Sequence, residues 1–363
     1  MVFKTYKMND MKGKQGLVCM GLLLVLSSCS CHTGKQITAS GLQRKDFQTE
    51  VNGQHTDLFT LSNKQGMEVC ITNYGARVVS ILVPDRNGKR EDVVCGFSTI
   101  TEYMEQRQNF GSTVGRYIGR ILNARFTLDG VEYKLVPNNG KSGHISHGGN
   151  PGFADRIWKV EQADTHRVRL SYLSPDGENG FPGNLKVTLV YSLGEDDNAL
   201  DLTYEATTDA PTVLNLSHHS FFLIFRGNFT KSVEDQQLWV DADRFTPYDD
   251  KKCVTGEYLP VAGTPLDFRM PHTIGECIDA DHPQLKVVNG YDHTWELNTK
   301  GDDTRPAAWV YDPASGRKME IFTTEPGMQI YTGNGLKGKM TGKGGDSLSF
   351  PFGGMFRNDA FSR

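Results

Sequence analysis

No stretch of the chain carries enough consecutive apolar residues to cross a bilayer as a helix; the most apolar run, Leu17 to Leu26, is only about the length of a signal-peptide core. A basic excess is missing as well. Lys and Arg number 39 against 43 Asp and Glu, a net charge of -4, and no Lys/Arg block follows a phosphate backbone, so nucleic acid is excluded as the expected partner. No glycine motif follows a strand and opens a helix, which argues against a dinucleotide or ATP enzyme. HExxH and a Gly-x-Ser-x-Gly elbow are also absent, which disfavours a zinc peptidase or a serine hydrolase of that type. The seven cysteines show no CxxC or other metal spacing. Cys31, Cys70, Cys95, Cys253 and Cys277 are therefore expected as buried thiols, although an oxidising compartment would permit a disulfide whose pairing the sequence does not name. EF-hand-like ligand spacing is lacking too; the acidic loops leave room for a structural Ca2+ but nothing requires one.

What is present begins with the N-terminus. Lys12 and Lys14 precede the apolar run, which ends in Leu26-Ser27-Ser28-Cys29. That order of lysines, apolar core, small residues and cysteine predicts a lipoprotein signal over 1–29, with Cys29 the residue to be lipidated, and a polar tether over 30–41. Met8 or Met11 could serve as the start. The expectation is an exported protein, in the periplasm or at the outer membrane, held to the membrane only by its lipid.

From Phe47 onward, short β-branched and aromatic runs alternate with turns. Glu68–Thr72, Arg77–Val83, Arg167–Tyr172 and Lys186–Tyr191 read as strands, several with the period of two that marks a half-buried strand. Asp85-Arg86-Asn87-Gly88 and Leu128-Asp129-Gly130 read as turns between them. Helical periodicity is confined to short stretches such as Ile100 to Arg107. With 39 glycines as punctuation, no Pro/Ser-rich linker and no fixed repeat, the expectation is one all-β domain, a large antiparallel β-sandwich, over about 42–345.

Five polar sets stand inside apolar strand contexts. They are His147 on a glycine-rich loop; His218 and His219 within Leu214–Phe222; Asp292 beside Tyr291 and Trp295; Glu325 at the end of an apolar strand before Pro326-Gly327; and Arg116 and Arg120, four apart. Period two sends His218 and His219 to opposite faces, one structural and one towards a site. Each set alone reads more readily as a satisfied core histidine or a solvated carboxylate.

Taken together and in order, these segments resemble the aldose 1-epimerase (galactose mutarotase) family. The resemblance runs from Ile71-Thr72-Asn73-Tyr74-Gly75-Ala76 through Val114–Ile121, His147-Gly148-Gly149, Ser174-Pro175-Asp176-Gly177-Glu178, Pro182-Gly183 and Asn215–His219. It continues with Gly263–Arg269, Gly290-Tyr291-Asp292-His293 and Thr324-Glu325-Pro326-Gly327. The resemblance implies a β-sandwich whose concave face binds an aldohexose, with no cofactor required, in a monomer. It implies His219 as general acid at the ring oxygen and Glu325 as general base at the anomeric hydroxyl. Arg120, His147, Phe221 and Asp292 would contact the sugar.

Some positions depart from that pattern. Gly119 stands where relatives often carry asparagine, Phe221 replaces a common tyrosine, and Leu223-Ile224-Phe225 is one residue longer than the usual segment. Beyond Gly345 the chain diverges, and 346–363 reads as a frameshifted tail, an expectation that sequencing past the stop codon tests. Three other functions compete. A non-catalytic sugar-binding lipoprotein need not keep both His219 and Glu325. An epimerase for phosphorylated hexoses would want added basic residues at the pocket. A glycoside hydrolase, with Asp292 and Glu325 as its carboxylate pair, would leave the histidines little purpose.

Overall fold

A computed structural model describes residues 36–222, 233–336 and 341–345, together with the backbone of 2–6 and 354–359. Cys29, Cys31 and the Leu223-Ile224-Phe225 segment lie outside the described residues, as do 346–353 and 360–363 of the tail.

The runs read as strands are strands: Glu68–Thr72, Arg77–Pro84, Arg167–Ser174 and Leu185–Leu193. Along Arg167–Ser174 the alternation is visible in the burial, with Val168 and Leu170 inside and Arg167 exposed. The helical stretch is the α-helix Ile100–Gln106. Thr99 accepts from the Glu102 N–H while the Glu102 carboxylate accepts from the Thr99 N–H, and Arg107 closes the helix in the left-handed conformation. That reciprocal cap makes so short a helix viable. A second helix, Pro283–Val288, carries proline at its start and was not expected.

Three sheets dominate. One has nine strands, in the order Lys159–Ala163, Arg167–Ser174, Leu185–Leu193, Ala199–Thr208, Val2–Tyr6, Lys318–Thr323, Ala308–Tyr311, Gln237–Val240 and His272–Thr273. A six-stranded sheet runs Phe221–Phe222, Gly354–Asp359, Gly327–Tyr331, Asp292–Glu296, Arg244–Thr246 and Leu259–Pro260. A four-stranded sheet comprises Leu58–Ser62, Glu68–Thr72, Arg77–Pro84 and Arg90–Asp92. One apolar core joins them: Val69, Val78 and Ile81 meet Val187, Leu189, Leu200 and Leu202, and continue to Trp295, Met328 and Ile330. Each such side chain contributes about 1.5–3 kcal/mol by leaving water. The architecture is the expected sandwich.

The ladders are antiparallel save one strand, Val2–Tyr6, which lies parallel to both Ala199–Thr208 and Lys318–Thr323. Those two neighbours are joined only through it. Reading 1–29 as a leader gave these residues no place in the fold, and cleavage ahead of Cys29 would take the strand away. Two facing rows of unpaired backbone groups would then open in mid-sheet. A chain starting at residue 30 is expected to unfold at a lower temperature than the full chain and to self-associate, as thermal denaturation and light scattering would record. Equal melting and a monodisperse truncated chain would mean the strand contributes nothing.

The end of the domain is tied down by Lys343. Its buried ammonium donates to Val79 O at 2.6 Å and to Asp92 Oδ2 at 2.5 Å. Of the divergent tail, the backbone of Gly354–Asp359 pairs with Gly327–Tyr331 and with Phe221–Phe222, the latter carrying the expected site residue Phe221.

Candidate active site

The site is assembled around His219. Its backbone is fastened on both sides: Gly111 N–H donates to His219 O, and His219 N–H donates to Ser112 O, each at 2.9 Å. Only glycine fits at 111, where φ is +68° and a Cβ would stand 1.8 Å from Val78 O. The approach to Gly111 is held by the fully buried Arg77, whose guanidinium donates to the carbonyls of Gln108, Phe110 and Ala154 at 2.8–3.0 Å.

His218 and His219 face opposite ways, as period two requires. The His218 ring lies against Tyr191, with Nδ1 3.4 Å from the phenol oxygen, and its Nε2 is 2.6 Å from Ser220 Oγ. Burial, helped by the charge of Arg77, pushes His218 from 6.5 down to about 3, so it is neutral in the folded protein. His293 is likewise pushed down to about 3, by burial and then by His282. Between about pH 3 and 6.5 the unfolded chain takes up these protons while the folded chain does not, so stability is complete above 6.5 and is lost as the pH falls below it. The unfolding free energy from urea titration is expected to hold from pH 7.5 to about 6.5 and then to fall towards pH 5 by about a kcal/mol per pH unit for each histidine, and His218→Gln should flatten the slope. A flat profile in the unaltered chain would contradict the burial assigned to these rings.

His219 turns its ring to His147 (centroids 5.3 Å apart, edge-on) and to Phe221 (5.3 Å). His147 is half-buried on its loop, its φ is +53°, and Gly119 N–H donates to its Nδ1 at 3.3 Å. A ring nitrogen that accepts carries no proton, so the neutral ring bears its hydrogen on Nε2. Gly119 itself sits at φ +83°, a conformation that glycine and asparagine adopt more readily than other residues. This accounts for the exchange of those two residue types there.

Phe221 continues the contact chain to Tyr331, with ring centroids 5.8 Å apart. Burial, then the negative charge of Asp292, push the Tyr331 phenol up to about 12, while Gly335 N–H and Arg120 oppose the rise. Asp292 and Arg120 therefore both lie within electrostatic reach of Tyr331. Asp292 pairs with Tyr331 across the ladder, and its Oδ1 accepts from Gln329 Nε2 at 2.5 Å. Arg120 is half-buried and donates through Nη1 to Lys252 O at 2.7 Å.

Glu325, half-buried, follows Lys318–Thr323, and its N–H donates to Thr323 Oγ1 at 3.0 Å. Its carboxylate is close enough to Tyr204 to add to the upward shift that burial imposes on that phenol. Tyr204 lies 3.5 Å from Thr113 Oγ1, and Thr113 is the ladder partner of His218. The carboxylate is thus within electrostatic reach of Tyr204, whose hydroxyl neighbours the Ser112–Thr113 segment that holds the His219 backbone. Five separated parts of the chain contribute here through ring contacts and electrostatic reach: Arg120, His147, His219 with Phe221, Asp292, and the stretch from Glu325 to Tyr331.

Gln329 and Tyr331 belong to this site and were not singled out in the sequence. The signal was present, since the two alternate along the strand Gly327–Tyr331 that follows Glu325. Among the described residues, no group of three or more His, Cys, Asp or Glu stands where it could hold a metal ion, and no helix is long and apolar enough to cross a membrane. Cys70, Cys95, Cys253 and Cys277 are free thiols; burial pushes Cys70 up to about 12.

Residues 57–352 match the family described as aldose 1-epimerase. The chain belongs to the aldose 1-epimerase family. It is 38% identical over 287 residues to galactose mutarotase of Sus scrofa, covering 79% of this chain and 80% of the relative. To aldose 1-epimerase of Escherichia coli K12 it is 36% identical over 287 residues, 79% and 81% of the two chains. The crystal structure of an aldose epimerase homologue from C. elegans superposes with a TM-score of 0.76 at 29% identity, covering 84% of this chain and 89% of that one. The chain is an isomerase of this family, with the fold the family implies.

Proposed function

We propose that the chain interconverts the α and β anomers of aldohexoses such as galactose and glucose, with Glu325 as general base and His219 as general acid. Glu325 takes the proton of the C1 hydroxyl as the C1–O5 bond breaks, and His219 delivers a proton to O5. The C1–C2 bond of the open aldehyde rotates, and the same two groups return their protons in reverse on closure. Atoms and charge balance without any redox partner. An imidazole can both give and retake a proton at a ring nitrogen, which ring opening and closure require. His147, with its hydrogen on Nε2, would donate to the sugar next to the ring oxygen, Asp292 would accept from a hydroxyl, and Arg120 would donate to another.

The observation that carries this reading is the packing of the His219 ring against His147 and Phe221, with the Glu325 carboxylate in electrostatic reach of Tyr204, which neighbours Thr113. A binding protein has no use for both groups. A hydrolase built on Asp292 and Glu325 would leave the paired histidine rings unused. Polarimetry, or one-dimensional NMR of the anomeric protons, of fresh α-galactose and α-glucose tests it: equilibration must accelerate in proportion to enzyme. Unaltered equilibration with sugar still bound would leave a binding protein.

A further inference from the structure

The Ser174–Glu178 motif takes no part in the chemistry above, yet the turn that continues it reaches the His147 loop. From the geometry we infer that Asn179 is a positioning residue for His147, an inference that rests on the proposed role of His147 at the sugar.

The Asn179 side-chain amide spends both of its hydrogens on that loop, donating to Gly148 O at 2.8 Å and to Pro151 O at 2.9 Å. It therefore bridges the loop immediately after His147. The loop is glycine where it is squeezed. A Cβ at Gly148 would lie 1.9 Å from Gly115 O, and one at Gly149 would lie 2.6 Å from the Asn179 amide. The chain is thus caught between the Gly115 strand and Asn179. On the far side, His147 N–H donates to Gly119 O at 2.9 Å and Gly119 N–H donates to His147 Nδ1. The two clamps together set where the imidazole stands and which nitrogen carries its hydrogen.

Asn179 is itself anchored. Its φ is +51°, a conformation asparagine tolerates, and its carbonyl accepts from Val136 N–H at 3.1 Å. The preceding Glu178 carboxylate accepts from Arg156 Nη2 at 2.6 Å, Tyr172 OH at 2.7 Å and Ser174 Oγ at 2.5 Å. Arg116 donates to Ser174 Oγ at 2.6 Å and to the carbonyls of Pro182 and Gly183. The motif is a rigid bracket, and Asn179 is the part of it that grips the His147 loop.

Two variants separate this role from folding. Asn179→Gly keeps the backbone conformation and removes both donors. Asn179→Asp keeps the shape but turns a carboxylate oxygen towards two carbonyl oxygens. Both are expected to melt close to the unaltered protein while kcat/KM for galactose falls about ten-fold, an effect of the size of one lost hydrogen-bond pair. Added to His147→Ala, Asn179→Gly should lower the rate no further, the mark of residues that act as one unit. Nitrogen-15 NMR of the His147 ring supplies a reading independent of turnover: one Nε2–H tautomer in the unaltered protein, a mixture in Asn179→Gly. Unchanged His147 signals, or an equal loss of rate with and without His147, would overturn the inference. A chain that equilibrates no aldose would refute the proposed function, and the ring signals would still decide the part played by Asn179.

Discussion

Glu325→Gln is expected to lower kcat for mutarotation by about 10²–10⁴ while galactose still binds, since a single positioned base contributes roughly that factor. The amide keeps the volume of the carboxylate, and the backbone N–H to Thr323 Oγ1 is untouched, so the strand end should stay in place. What is lost is the basicity that takes the C1 hydroxyl proton, since an amide oxygen can accept a hydrogen bond but not a proton. The limb of the kcat/KM pH profile set by the carboxylate should vanish with it. Isothermal titration with galactose checks binding, and polarimetry checks the rate. A rate within a few-fold of the unaltered protein would remove Glu325 as the base, and Asp292 would become the carboxylate to examine.

His219→Ala is expected to cost a similar factor for a different reason. Without the acid, O5 must leave as an alkoxide, and among the described residues no other imidazole packs on both His147 and Phe221. His147 is the neighbour that could substitute, but its Nδ1 is committed to Gly119, so a transfer through Nε2 would be its only route. The residual rate should therefore depend on His147, and adding His147→Ala should lower it further. Truncating His219 also removes a ring packed on Phe221, so melting temperature is measured alongside. A large loss of rate with little change in melting marks the acid; a parallel loss of both would make the ring structural. His218→Gln provides the contrast, since that ring faces Tyr191 and should affect stability and its pH dependence far more than turnover.

The fold was largely legible along the chain because its signals are local. A period of two over Arg167–Tyr172 and Lys186–Tyr191 reports a buried face, and Thr99 with Glu102 three residues on reports a helix start. The opposite facing of His218 and His219 follows from strand geometry alone. Other features depended on partners distant in sequence. Gln329 and Tyr331 looked like members of an apolar strand until Asp292 was found across the ladder from Tyr331. The short helix Pro283–Val288 is too brief for its periodicity to show, and its cap is a histidine side chain rather than a usual capping residue. The parallel strand Val2–Tyr6 lies in a segment whose composition reports only a leader.

By itself the sequence determined the strand and turn units, the faces those strands bury, the family and the residue types able to move a proton on and off a sugar. Each of these is set by neighbours within a few positions, or by residues whose order survives without reference to space. Only the tertiary structure decided which of them meet: that the His219 ring packs on His147, that the Glu325 carboxylate comes within electrostatic reach of Tyr204, and that Asn179 grips the loop behind His147. Those contacts depend on strand order and on close backbone approaches at glycine, which arise from packing between sheets and leave no periodic trace along the chain.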